Sequence, residues 1–128
     1  MRALLLALCL LPAFVDAAEP VAVSPKAAAA LVRKKKAVIV DVREAEERDE
    51  VVPGARWFAD SKVGDEAAWG EFVSRLPKDK TVVFHCRTGR RAKKAAEKLA
   101  HQGFKTAFFA GPEEWKAQGL PLDKGPGR

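Results

Sequence analysis

Thr81-Val82-Val83-Phe84-His85-Cys86-Arg87-Thr88-Gly89-Arg90-Arg91-Ala92 decides the reading of this chain. Strand-forming residues run directly into a cysteine, and a glycine follows three positions later. A basic helix then begins at Arg90 or Arg91 and runs to Gln102, with Gly103 as its stop signal. A buried strand of this kind delivers its last residue to the carboxyl edge of a sheet, where open α/β proteins bind ligands. Gly89 lets the backbone reverse without a Cβ clash. Amides of the loop and of the first helical turn can then converge on one point, which makes an anion site. If the sulfur sits there, the thiolate is the stabilised anion, and Arg87, Arg90 and Arg91 act in the same sense. The segment therefore predicts an activated thiolate nucleophile in a cationic cradle. An inert buried cysteine ahead of an ordinary basic helix gives no reason for three arginines within six residues.

Outward from this loop, short β-branched runs alternate with helical stretches. The pattern predicts an α/β domain with a mainly parallel central sheet flanked by helices on both faces. Val21-Ala22-Val23 is a short strand, and Ser24 caps a helix with Pro25 at its first position. Ala37-Val38-Ile39-Val40-Asp41-Val42 is a buried strand, followed by an acidic turn over residues 44–50 and an extended stretch over 51–55. Residues 65–76 form an amphipathic helix on the spacing of Trp69, Phe72, Val73 and Leu76. Residues 104–109 are the last expected strand, a short helix spans 112–118, and 123–128 is a frayed, flexible tail.

With 128 residues, 48% of them hydrophobic and 31% charged, the chain fits one globular domain and not a disordered one. Two cysteines exclude a disulfide-rich scaffold, and two histidines exclude a thiolate–imidazole zinc cluster, so no metal is expected. Residues 1–17 carry one early cation, an apolar run over 3–11, Pro12, and small residues ending at Ala17. This is the pattern of a secretory signal peptide cleaved after Ala17. The run is well below the roughly 20 residues that span a bilayer. Leu8 before Cys9 argues against a lipoprotein signal. Cleavage removes Cys9, leaving Cys86 as the single cysteine of a domain over 18–122, while Arg2 and Asp16 cancel and keep the charge at +6. The expected location is periplasmic or secreted, with no membrane contact after cleavage. Arg33-Lys34-Lys35-Lys36 closes the first helix where cations suit the macrodipole, and no nucleic-acid partner is expected.

Several segments together resemble the single-domain rhodaneses, the thiosulfate sulfurtransferases, and in particular small periplasmic members of that family. Cys86-Arg87-Thr88-Gly89-Arg90-Arg91 is similar to their active-site loop. Asp41-Val42-Arg43-Glu44 and Pro53-Gly54-Ala55 match further family segments, as do Gly103-Phe104, Ala110-Gly111 through Trp115, and Gly119-Leu120-Pro121. Two positions depart from the family pattern. Glu50-Val51 stands where Gly-His is usual, and Ala110-Gly111 replaces Gly-Gly, with Pro112 after it. Both departures fall on the outer wall of the expected pocket.

The resemblance implies a single rhodanese-like domain that works by double displacement and needs no cofactor. Cys86 takes sulfane sulfur from a small anionic donor such as thiosulfate and passes it to a thiophilic acceptor, which is cyanide, a thiol or a protein. It also implies that amides from Arg87 to Arg91, including those of Thr88 and Gly89, hold the sulfur while Arg87 and Arg90 bind the donor. Arg91 is expected mainly to orient the loop, and Asp41 with Arg43 to form a buried supporting pair. His85 precedes the nucleophile on a strand, so its side chain is expected on the opposite face. His101 reads as solvated, and Lys93 and Lys94 as parts of a positive field. The three tryptophans read as core or pocket wall, with Trp115 at the mouth. Two other readings remain open: a persulfide carrier for a protein partner, and a cysteine phosphatase or arsenate reductase. The latter resemble His-Cys, five residues, then arginine, whereas here Ala92 takes the sixth place and Arg91 comes one early.

Overall fold

A computed structural model of the chain describes residues 19–126. The expected signal peptide lies outside the described residues. Five strands form one sheet: β1 (Val21–Ala22), β2 (Ala37–Asp41), β4 (Arg56–Trp57), β5 (Thr81–His85) and β6 (Thr106–Phe109). Their order across the sheet is β1-β6-β5-β2-β4, and every pairing is parallel. Four helices cover it: α1 (Pro25–Arg33), α2 (Glu66–Ser74), α3 (Arg90–Ala100) and α4 (Pro112–Ala117). The expected α/β architecture is the observed one.

Local chemistry explains the elements. Ser24 accepts the Ala27 N–H at 3.1 Å and Pro25 follows it, so α1 starts with a satisfied donor and a preset φ. Asp65 caps α2 in the same way, through the Ala68 N–H at 3.1 Å. Strand alternation then divides β5 between two cores. Val82, Phe84 and Cys86 join Trp69 of α2 and Ala92, Ala95, Ala96 and Leu99 of α3. Val83 joins Ala28 and Ala29 of α1, Phe109 of β6, and Trp115 of α4. Helices therefore lie on both faces. The alanine stripe of α3 lets its backbone sit close to the sheet, and Leu99 and Phe84, both fully buried, each add about 1.5–3 kcal/mol.

Two expectations are corrected. The tail does not begin to fray at Asp123: β7 (Asp123–Lys124) pairs antiparallel with β3 (Glu50–Val51). The Gly125 N–H then donates to the Asp49 carbonyl at 2.6 Å, so the pairing holds the chain end through 125. Trp115 does not line a mouth. It is 5% exposed, stacked on Phe109 at 5.7 Å, with its Nε1 donating to the Pro121 carbonyl at 2.8 Å. A ring with its only polar atom satisfied internally belongs to the core. The exposed tryptophan is Trp57, with the Arg48 guanidinium 4.7 Å from its ring centre. The lysine run also finds its place. Lys35, Lys36, Lys78, Lys80 and Lys105 surround an open hollow of about 430 Å³ where the strands begin, at the far edge of the sheet from Cys86.

Candidate active site

Cys86 follows the last residue of β5, and its N–H donates to the Ala110 carbonyl at 3.1 Å. That bond continues the β5–β6 ladder by one step and fixes where the side chain begins. Three residues on, Gly89 takes φ +93°, a left-handed conformation that disfavours any side chain, and becomes the N-cap of α3. The turn brings the Gly89 N–H to the Cys86 sulfur at 3.1 Å. The N–H groups of Arg87, Thr88, Arg90, Arg91 and Ala92 meet no acceptor among the described residues. They are the orphan donors of a loop and helix start, the local chemistry of an anion cradle.

The thiol is fully buried. Burial in apolar surroundings alone would make it inert; the Gly89 amide supplies the stabilisation for charge that such surroundings lack. Arg87 and Thr88, which follow it in the loop, are exposed.

The arginines do not act as one group. Arg87 lines an open cleft of about 510 Å³ shared with Arg43, Glu47, Glu50 and Pro112. Glu50 and Pro112, at or beside the two departures from the family pattern, lie on the wall of this cleft, which Arg87 joins and Cys86 does not. Arg90 is exposed and does not line it. Arg91 is held by Glu47 through two bonds of 2.8 Å, so its guanidinium is committed to a clamp between the helix start and the acidic turn. This fits an orienting part and leaves no free fork for a substrate anion. The clamp shapes the acid stability of the loop. The hydrogen bonds from Arg91 pull the Glu47 carboxyl from 4.5 down to about 2 and raise the Arg91 guanidinium. Because the folded value is depressed, the stabilisation is complete above pH 4.5 and fades as pH falls towards 2. We predict that Glu47→Gln melts below the wild type at pH 7, and that the two curves converge between pH 4.5 and 2 in acid titrations of Tm. A constant difference across that window would refute the clamp.

Asp41 and Arg43 form the expected buried pair. The Arg43 Nε donates to Asp41 at 3.1 Å, a terminal nitrogen donates at 2.9 Å, and the Arg43 N–H donates at 2.9 Å. Arg43 also holds the carbonyls of Glu47 and Glu50 at 2.7 and 2.8 Å. Burial pushes the Asp41 carboxyl up, but hydrogen bonds and positive charge from Arg43, together with the His85 ring, bring it below the usual carboxylate range. The pair thus ties the end of β2 to the cleft wall.

His85 points to the other face, as expected, where it is fully buried and stacked on Phe109 at 5.1 Å. Sequence reasoning missed Glu47 as the partner of Arg91, and Ala110 and Gly111 as contacts of Cys86. Gly111 packs so closely on the Cys86 carbonyl that an added Cβ would overlap it. The glycine of Ala110-Gly111 was a signal of close backbone approach. Among the described residues no group of three or more His, Cys, Asp or Glu side chains could hold a metal ion.

The family of rhodanese-like domains matches residues 24–118. The chain belongs to that family. MoeZ of Mycobacterium tuberculosis, named a probable adenylyltransferase/sulfurtransferase, is 32% identical over 90 residues. These are 68% of this chain and 22% of that protein, so this chain spans under a quarter of that relative. GlpE of Coxiella burnetii, named a thiosulfate sulfurtransferase, is 32% identical over 89 residues, 68% of this chain and 78% of that protein. Among solved structures, a rhodanese-related protein of Thermoplasma volcanium superposes with a TM-score of 0.66 at 21% identity. The match covers 80% of this chain and 97% of that one, and shows the same fold. A protein of unknown function from Rhodopseudomonas palustris, described as a possible tyrosine phosphatase, reaches 0.63 at 27% identity over 84% of this chain and 89% of that one.

Proposed function

We propose that the chain is a sulfurtransferase that carries sulfane sulfur on Cys86, taking it from thiosulfate or a similar anion and giving it to cyanide or a thiol. The observation that carries this reading is the Gly89 N–H on the Cys86 sulfur, in a loop and helix start where five further N–H groups have no acceptor among the described residues. The Cys86 thiolate attacks the outer sulfur of thiosulfate. A new S–S bond forms, the S–S bond of the donor breaks, and sulfite leaves with the electron pair. The acceptor then attacks the outer sulfur of the persulfide, whose S–S bond breaks to return the thiolate. Charge stays at the sulfur throughout, and preorganised amides are the groups that stabilise it without reorganisation. Arg87, on the cleft wall, draws the donor in, and exposed Arg90 adds to the field.

The Rhodopseudomonas neighbour keeps a phosphatase reading in view, but the loop argues against it. Arg91, the arginine nearest the phosphatase position, is bound by Glu47 and is one residue early. The test is turnover of thiosulfate and cyanide to thiocyanate, with aryl-phosphate hydrolysis measured beside it. Thiocyanate is expected. Phosphate release without thiocyanate would overturn the assignment, and a persulfide that forms without turnover would mark a carrier serving a protein partner.

Export to the periplasm or beyond is supported by the signal-like pattern of residues 1–17. N-terminal sequencing of the protein expressed from its full reading frame is expected to begin at Ala18. A chain still beginning at Met1 would contradict export by cleavage.

A further inference from the structure

We infer that His85 is a positioning residue: its Nδ1–H holds the Cys86 carbonyl and thereby aims the Arg87 amide at the side of the loop that carries the sulfur. Only the kinetic arm of its test rests on the sulfurtransferase reading.

The His85 Nδ1 lies 3.2 Å from the Cys86 carbonyl oxygen and 4.0 Å from an Asp41 carboxylate oxygen. Both neighbours are acceptors, so Nδ1 carries the proton. Nε2 is buried and has no partner. Leaving a ring nitrogen unsatisfied is unfavourable, and a phenylalanine would fill the same stack on Phe109 without that penalty. The feature that only the histidine brings is the Nδ1 donor. Its acceptor has no other source of a proton among the described residues, because Gly111 presses on the Cys86 carbonyl and no further donor reaches it.

The consequence passes through the peptide plane. No cis peptide bond occurs among the described residues, so the Cys86 C=O and the Arg87 N–H point in opposite directions. His85 packs with the α1 and α4 side of the sheet, through Phe109 and Trp115. Cys86 packs with the α2 and α3 side. A carbonyl held toward His85 therefore sends the Arg87 N–H toward the sulfur side. If this peptide turned over, an amide donor would be replaced by the negative end of a carbonyl dipole, beside a group that must carry negative charge.

Two substitutions separate this role from packing. His85→Phe keeps a ring for the stack and loses the donor; His85→Asn loses the ring and keeps an N–H that can reach the same carbonyl. We expect the rate of Cys86 alkylation by iodoacetamide at pH 7 to fall about tenfold in His85→Phe and to stay within about threefold of wild type in His85→Asn. In thiocyanate formation, kcat falls by at least about tenfold in His85→Phe while the KM for thiosulfate stays within about twofold, in keeping with a misaimed donor at the reacting sulfur. Alkylation needs no sulfur transfer, so it reads the loop even if the proposed activity is absent. Long-range ¹H–¹⁵N spectra of the unmutated protein test the tautomer independently of whether either variant folds. A proton on Nε2 instead of Nδ1 would overturn the proposal. Wild-type alkylation in His85→Phe, or an equal loss in both variants, would do the same.

Discussion

Cys86→Ser is expected to reduce thiocyanate formation to the uncatalysed background, a loss of at least about 10³-fold. The substitution leaves the fold nearly untouched, since a hydroxyl of similar shape can still accept the Gly89 N–H that reaches the sulfur at 3.1 Å. What it removes is the second-row atom that forms and breaks S–S bonds. Oxygen cannot take over that transfer, and at neutral pH a serine hydroxyl is not ionised by one amide. Tm should therefore stay close to wild type while turnover disappears, so that inactivity cannot be put down to unfolding. Residual turnover above about 1% of wild type would mean that sulfur passes through another group.

Arg43→Met is expected to have the largest effect on stability. Asp41 is fully buried and ionised, and Arg43 is its principal partner, with Arg48 at 3.2 Å as a second cation. Removing Arg43 leaves a buried carboxylate only partly compensated, at a cost of about 3–5 kcal/mol. It also releases the carbonyls of Glu47 and Glu50, and with them the wall of the cleft. For a domain of this size Tm should fall by at least about 12 °C. Adding Asp41→Leu removes the stranded charge and should recover part of the loss. Recovery stays incomplete because the two carbonyls remain without their donor. A single variant that melts within about 2 °C of wild type would show that the pair is not what ties β2 to the cleft.

The cysteine loop was legible in the sequence because its chemistry is local. Strand, thiol, left-handed glycine and helix start lie within a dozen residues, and each has a distinct residue signature. The main strands were legible for a similar reason, as β-branched runs that the sheet buries. Features made by distant partners were not. Glu47 and Arg91 are 44 positions apart, and an acid in an acidic turn carries no mark of which arginine it will meet. β3 and β7 are strands of two residues each, Glu50–Val51 and Asp123–Lys124, too short and too polar to show a period. Trp115 was expected at the mouth because its place in the family pattern says nothing about where its ring turns. The carbonyl of Pro121 and the ring of Phe109 decide that, by satisfying its N–H and its faces inside the core.

If Cys86 carries the transferred sulfur, intact-protein mass measurement after incubation with thiosulfate will show it. A gain of one sulfur atom per chain is expected that maps to Cys86, is absent in Cys86→Ser, and is discharged by cyanide with one equivalent of thiocyanate. An unchanged mass under these conditions, or a sulfur that is found on the Cys86→Ser chain, would contradict it.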